Sequence, residues 1–423
     1  MPLSTTQQQQ AQLRRRFIGR IAAAMLFVLV TLSLVVARLY GLQVTDHDHY
    51  KTLSTDNRIR LLPLPPARGE IRDRNGVLLA QNIPSIDLFL YPDKVENFDE
   101  TIAQLAQIIA IGEEDIERFY KLRKGKRRFE RVAIRTGLDE REMARFAVER
   151  HRFQGVDMGI TLRRYYPYGE MTAHVVGYIG RINERELETI DQADYSGTSH
   201  IGKTGLERYY EEQLHGEVGV QQVEMDATSH IMRVIDTQHP VNGKDIRLHF
   251  DIELQRLAME ALGEHSGSVV AIDIKNGGIL ALASKPGFDA NLFVDGISFK
   301  DYGALRENPE TPLVNRGIHG RYPPGSTIKP FIALAGLELG NVSAHQTVYC
   351  PGFYRIKGSG RKFRDWKKSG HGTTNLIKAI EQSCDIYFYN LAYSMGIDNL
   401  HDYLAQFHFG KPTGADMPLS LIH

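Results

Sequence analysis

The sequence predicts an α+β protein in several parts: a transmembrane helix, an elongated mixed domain, and a second domain with an antiparallel sheet and flanking helices. Three observations predict it. An uncharged apolar run at residues 21–37 follows Arg14, Arg15, Arg16 and Arg20. Hairpin signals, Asn75-Gly76 and Lys275-Asn276-Gly277, separate half-apolar runs in both halves of the chain. A helical pattern precedes the second hairpin and others follow it, an order that suits α+β rather than alternating βαβ units.

Length and composition set the frame. The 423 residues leave room for two or three domains, and 42% hydrophobic with 24% charged residues is ordinary for a folded chain. Lys+Arg and Asp+Glu are equal at 51 each. Nucleic-acid binding draws on excess basic charge, so nucleic acid is not expected as a partner. Two cysteines, Cys350 and Cys384, are too few for a disulfide scaffold.

The apolar run ends at Arg38, and Phe17 and Ile18 extend it at the front. We expect a cytoplasmic tail over 1–16 and a membrane anchor over 17–40, with everything beyond exported by the positive-inside rule. The rival is a cleaved signal peptide ending at Val35-Val36-Ala37, for which the run is long. His47 and His49 read as solvated. The first folded domain is expected over 41–240. Pro63, Pro65 and Pro66 suit an extended arm, and the hairpin at 68–80 follows it. Helical patterns occupy 100–110 and 140–151, with a basic run at 121–131 between them that reads as a solvated loop. Short strands and turns fill 160–235. The second domain is expected over 241–423, with a strand at 245–250, a helix at 251–262, the hairpin at 268–284, and helices at 326–339 and 374–395.

Three segments carry chemical patterns. Gly197-Thr198-Ser199-His200-Ile201-Gly202-Lys203-Thr204 fits the P-loop pattern, but no buried strand precedes it, so a nucleotide site is not expected. In Tyr322-Pro323-Pro324-Gly325-Ser326-Thr327-Ile328-Lys329-Pro330, Pro and Gly break the chain before Ser326 and an apolar helical run follows. Lys329 then shares a helix face with Ser326, at the positive end of a helix dipole that favours a neutral amine. Such an amine can take the serine proton and make a nucleophile. A second Ser-x-x-Lys match, Ser359 to Lys362, lies in a Gly-rich loop and is set aside. Ser383-Cys384-Asp385, inside the last helical run, offers a hydroxyl and a carboxylate for proton relay. Ser85-Ile86-Asp87 has the same pattern, which is common.

These residues together resemble class B penicillin-binding proteins, most closely the elongation-type subgroup. Asn315-Arg316, Pro323 to Pro330, and Ser383 to Asp385 carry the resemblance, as do Arg163-Arg164-Tyr165-Tyr166-Pro167 and Gly205-Leu206-Glu207. Residues 289–298 and 364–372 look like the elongation subgroup. The resemblance implies an elongated non-catalytic domain followed by a β-lactamase-like serine transpeptidase domain. It implies Ser326 as acylated nucleophile, Lys329 as general base, Ser383 with Asp385 as proton relay, and the Ser326 N–H as half of an oxyanion hole. It implies D-Ala–D-Ala stem peptides and β-lactams as ligands, no required cofactor, and a bacterial inner-membrane location with the bulk of the chain in the periplasm. A polytopic elongation glycosyltransferase is the implied partner. Rival activities are a D,D-carboxypeptidase, which uses water as acceptor, and a non-catalytic scaffold or β-lactam-binding protein.

The family's third motif, Lys-Ser/Thr-Gly, is expected downstream of the nucleophile. The Lys-Thr-Gly here, Lys203-Thr204-Gly205, lies upstream. We therefore expect a C-terminally truncated chain with little or no activity of its own. The exported cysteines have two readings. One is a disulfide. The other is a structural zinc held by Cys350, Asp365, His371 and Cys384, which would brace the loop around Ser383.

Overall fold

The computed structural model describes residues 5–45, 59–124, 130–225, 231–356, 358 and 360–417. Its first element is a helix, Thr5–Tyr40, longer at the front than the expected anchor. Leu26, Phe27, Leu32 and Leu34 on this helix are all exposed. Among the described residues, no helix is long and apolar enough to cross a membrane. The side chains of Phe17, Gly19, Ala22 and Ala23, on which the expected span also rests, lie outside the described residues. So do His47 and His49.

Asn75-Gly76 closes the first hairpin as expected. Strand Ile71–Arg72 pairs antiparallel with the long strand Leu78–Leu90. Gly76 has a φ of 88°, open to glycine without a Cβ clash. The Asp73 carboxylate accepts from the backbone N–H groups of Asn75 and Val77 at 2.7 and 2.8 Å, fixing the turn. Leu78–Leu90 is the spine of the first domain. It pairs with Val156–Tyr165 from Gln81 to Leu90, and its far end also pairs with Val132–Arg135. Val132–Arg135 was hidden between helical patterns, because only four residues alternate there. Helices Phe98–Leu105, Glu113–Lys124 and Glu140–Glu149 cover the far end of the sheet. Leu88, Leu90, Phe119, Ile134 and Phe146 meet in one core cluster. The proline-containing arm is a strand, Ile59–Leu64, paired with Gly219–Met225.

The second domain begins differently from expectation. Only Ile246–Arg247 of the strand at 245–250 is extended in a ladder, and it pairs parallel with Ile71–Arg72 of the first sheet. Beyond it, helix Ile252–Leu262 is capped by the Asp251 carboxylate. The hairpin Gly267–Ile272 with Ile279–Lys285 forms as expected. The Gln255 side chain, 1% exposed, donates to the carbonyls of Met171 and Leu282 and accepts from the Leu282 N–H. It thus ties the helix to the hairpin and to the first domain together. The apolar core does the same: Ile71, Leu79, Tyr166 and Leu206 share a cluster with Phe250, Ile252, Leu282 and Phe288.

A buried charge network stiffens this junction. Glu207, fully buried, accepts from Arg164 Nε and Arg68 Nε, each at 2.7 Å. Arg68 also pairs with Glu211 at 2.7 Å. Burial alone would raise the Glu207 carboxyl pKa, but Arg164 and Arg68 outweigh it and hold the pKa below the usual range. The depressed value means this stabilisation is present above about pH 4.3, the ordinary Glu value, and is lost as pH falls through the lower folded value. Glu207→Gln leaves two guanidiniums without their shared carboxylate. We expect a loss of roughly 3–5 kcal/mol at neutral pH, read as a fall in the denaturant midpoint. A shift within experimental error would show that the network contributes nothing net.

Candidate active site

Ser326 stands on a single 3-10 turn, Gly325–Ile328, that leads into the α-helix Lys329–Glu338. The expected helix over 326–339 therefore begins later, and the reason is local. Pro330 has no N–H to give the Ser326 carbonyl, so Lys329 N–H takes it instead, one residue earlier. Ser326 is exposed, whereas Lys329 is 7% exposed.

The expected helix over 374–395 is two helices, Leu376–Glu381 and Asp385–Met395. Ser383 lies in the break with a φ of 52°, a left-handed conformation uncommon outside glycine. Ser383 N–H and Cys384 N–H close the first helix onto the carbonyls of Ile380 and Ala379. Asp365 Oδ2 accepts from Asp385 N–H at 3.0 Å and Ile386 N–H at 3.4 Å, capping the second. Trp366 Nε1 donates to the Gln382 carbonyl at 3.1 Å. The break that motif pattern-reading placed inside a helix is thus held open from a neighbouring loop, and it turns the Ser383 side chain toward Ser326.

The four residues come together. Ser326 Oγ lies 2.7 Å from Ser383 Oγ. Lys329 Nζ donates to Ser383 Oγ at 3.0 Å, to the Ser383 carbonyl at 2.9 Å, and to Asp385 Oδ1 at 2.6 Å. One detail differs from expectation. Among the described residues, Lys329 Nζ has no hydrogen bond to Ser326. Asp385 and the Ser383 carbonyl draw it away, and the Ser383 hydroxyl bridges the two.

Cys350, Asp365, His371 and Cys384 also converge, with their ligand atoms all within 4.8 Å of one another and all four residues buried. Strands Val348–Cys350 and Gly372–Thr374 pair, bringing Cys350 beside His371. Cys350 Sγ lies 3.6 Å from Asp365 Oδ2 and 3.7 Å from His371 Nδ1. Both cysteines are free thiols in the structure. Burial, with Cys350 and Asp365 nearby, pushes the Cys384 thiol up to about 12. Burial would also raise Asp365, but the N–H groups of Lys367 and Ile386 and the His371 ring outweigh it, and its pKa is lowered. His371 Nε2 is buried and has no hydrogen-bond partner among the described residues. Two sulfurs, an imidazole and a carboxylate in this space match the donor set of a tetrahedral zinc site, so the residues fit the metal.

The Ser85-Ile86-Asp87 pattern is structural. Ser85 donates to Asp87 at 2.9 Å within a strand, and Asp87 also accepts from Gly137 N–H and Thr161 Oγ1. In the P-loop look-alike, Gly202 packs on the Glu207 carbonyl, where a Cβ would come within 2.1 Å, so close backbone packing accounts for this glycine. Ser359 lies outside the described residues, and the segment after it is a short strand, Lys362–Arg364. Sequence reasoning missed the capping role of Asp365, because a cap supplied from twenty residues away leaves no local pattern.

Residues 63–248 match the family model of the penicillin-binding protein dimerisation domain, and residues 267–421 match that of the penicillin-binding protein transpeptidase domain. The chain belongs to the penicillin-binding proteins. Within the family it is similar to peptidoglycan D,D-transpeptidase MrdA of Acinetobacter baumannii, 47% identical over 99% of this chain. The Escherichia coli K12 protein of that name is 42% identical over 95% of this chain. The chain spans 62% and 64% of the length of these two relatives. Among solved structures it resembles Pseudomonas aeruginosa PBP2 in complex with WCK 5153, with 37% identity and a TM-score of 0.60, covering 85% of this chain and 59% of that one. It also resembles Helicobacter pylori PBP2 in complex with MreC, with 29% identity and a TM-score of 0.75, covering 85% of this chain and 68% of that one.

Proposed function

We propose that this penicillin-binding protein is a peptidoglycan D,D-transpeptidase of cell elongation, working through a serine acyl-enzyme that β-lactams also form. The observation that carries the reading is the continuous chain Ser326 Oγ–Ser383 Oγ–Lys329 Nζ. Once the Lys329 ammonium has released the proton it directs at Ser383 Oγ, the lone pair left there accepts the Ser383 proton while Ser383 accepts that of Ser326, so the Ser326 oxygen becomes the attacking group. It adds to the penultimate D-Ala carbonyl, the Ser326 N–H stabilises the oxyanion, and the relay returns the proton to the departing D-alanine. An amine of a second stem peptide then takes the acyl group.

The decisive assay supplies membranes carrying the chain with a donor stem pentapeptide and an acceptor amine. Released D-alanine with cross-linked dimer is the expected result, at a rate well below that of a relative that carries the Lys-Ser/Thr-Gly motif. D-alanine release with hydrolysed tetrapeptide alone would sink transpeptidation in favour of a D,D-carboxypeptidase.

The apolar run at residues 21–37 would anchor the chain in the inner membrane with the catalytic part in the periplasm; the exposed Leu26, Phe27 and Leu34 support this. A polytopic elongation glycosyltransferase remains the proposed partner, and an MreC-like protein is a second candidate through the Helicobacter pylori neighbour.

Cys350, Asp365, His371 and Cys384 would hold a structural zinc, whose charge compensates buried thiolates and ties the Ser383 loop in place. Chelation should then lower the melting temperature by roughly 5–10 °C, restored by added zinc. Metal analysis without zinc, together with an unchanged melting curve, would dispose of the metal.

A further inference from the structure

We propose that the first domain carries a second site, one that binds a small oxyanion in the cavity between its spine sheet and the 197–200 loop. The cavity has a volume of about 520 Å³. Five arginines line it, against two aspartates, and Thr198, Ser199 and His200 form one wall.

Carboxylates offset most of this charge: Glu207 and Glu211 hold Arg164 and Arg68, and Asp295 holds Arg163, so Arg131 and Arg181 face the single carboxylate of Asp87. Asp87 is already occupied by the Ser85 and Thr161 hydroxyls and the Gly137 N–H. Asp295 pairs with Arg163 at 2.6 Å. Among the described residues, Arg181 forms no ion pair and reaches only a backbone carbonyl, that of Asp295, at 3.5 Å. Arg131 lies over the Phe89 ring, its charge facing no carboxylate at ion-pair distance among the described residues.

Two buried donors point to the ligand. Arg164 is 3% exposed, and its Nη2 has no hydrogen-bond partner among the described residues, although Nε and Nη1 are satisfied by Glu207 and Asn82. His200 Nε2 is likewise buried and without a partner, and it is the N–H donor when Nδ1 accepts from the Ser199 hydroxyl 2.9 Å away. A buried donor left unpaired costs free energy, and a guanidinium most of all. An oxyanion in the cavity would accept from both and balance the remaining positive charge, with the Thr198 hydroxyl at the wall. Arginine forks suit phosphate and carboxylate alike. The look-alike P-loop segment thus contributes side chains from 198–200 to a cavity, rather than backbone N–H groups to a phosphate.

The test is calorimetric titration of the full chain in detergent with pyrophosphate and, separately, with a short peptide bearing a free C-terminal carboxylate. We expect saturable binding of one of them. Arg181→Gln and Arg131→Gln should each weaken it roughly tenfold or more, with Arg181→Lys in between. Arg131 is exposed, so Arg131→Gln keeps the test open if Arg181→Gln fails to fold. Penicillin labelling should be unchanged in every variant. Saturation by pyrophosphate alone assigns a phosphate ligand, and saturation by the peptide alone a carboxylate. No saturation by either, or equal binding by the wild-type chain and the Gln variants, overturns the site.

Discussion

Ser326→Ala eliminates the covalent adduct between the chain and a fluorescent penicillin. In the proposed mechanism this hydroxyl forms the acyl bond, and Ser383 Oγ, 2.7 Å away, cannot take over without moving. Ser383 is fixed by its left-handed backbone and by the two helix ends that meet there. Loss of a nucleophile costs on the order of 10⁴–10⁶ in rate, so no band should survive an ordinary labelling time. Ser326 is exposed, and the variant should melt within about 0.5 kcal/mol of the parent. A labelled band of undiminished strength in the alanine variant would mean that another residue is acylated, and the proposed mechanism would fall.

Lys329→Met is the second large effect. The amine is 7% exposed, and its three donors go to Ser383 Oγ, the Ser383 carbonyl and Asp385. Methionine keeps the volume of the stem and removes every one of these bonds. The serine pair then has no base, and acylation should slow by roughly 10²–10⁴-fold. Asp385 also loses its ion-pair partner, so some stability should go as well, softened by its partial exposure. Two readouts separate the effects: stopped-flow acylation rates on chain shown to be folded, and melting curves. Acylation at the parental rate in a folded Lys329→Met chain would remove the lysine from the mechanism.

The sequence carried some of this and hid the rest for physical reasons. Both Asn-Gly hairpins were legible, because a turn that needs a left-handed residue advertises it in two adjacent letters. Ser326 and Lys329 were legible through the Pro-Pro-Gly break and the helix that follows. The strand Ile246–Arg247 was visible as extended chain, but its partner was not, since a parallel ladder to Ile71–Arg72 joins segments 175 residues apart. The bridge from Ser326 to Lys329 through Ser383 was equally invisible. It depends on one residue adopting a positive φ, and serine gives no warning of that. The convergence of Cys350, Asp365, His371 and Cys384 could be guessed from residue types alone, whereas the cap that Asp365 places on Asp385 and Ile386 could not.

The apolar cluster from Ile71 to Phe288 runs unbroken through the place where the two domains meet, and Gln255 bonds to both sides of it. Among the described residues, apolar side chains from both parts pack directly on one another at this junction, which resists one half swinging on the other. The first domain then acts as a strut, and the position of Ser326 relative to residue 59 is set by packed structure. Heat should melt strut and platform in a single calorimetric peak. A partner gripping the first domain would thereby set the orientation of the serine as well.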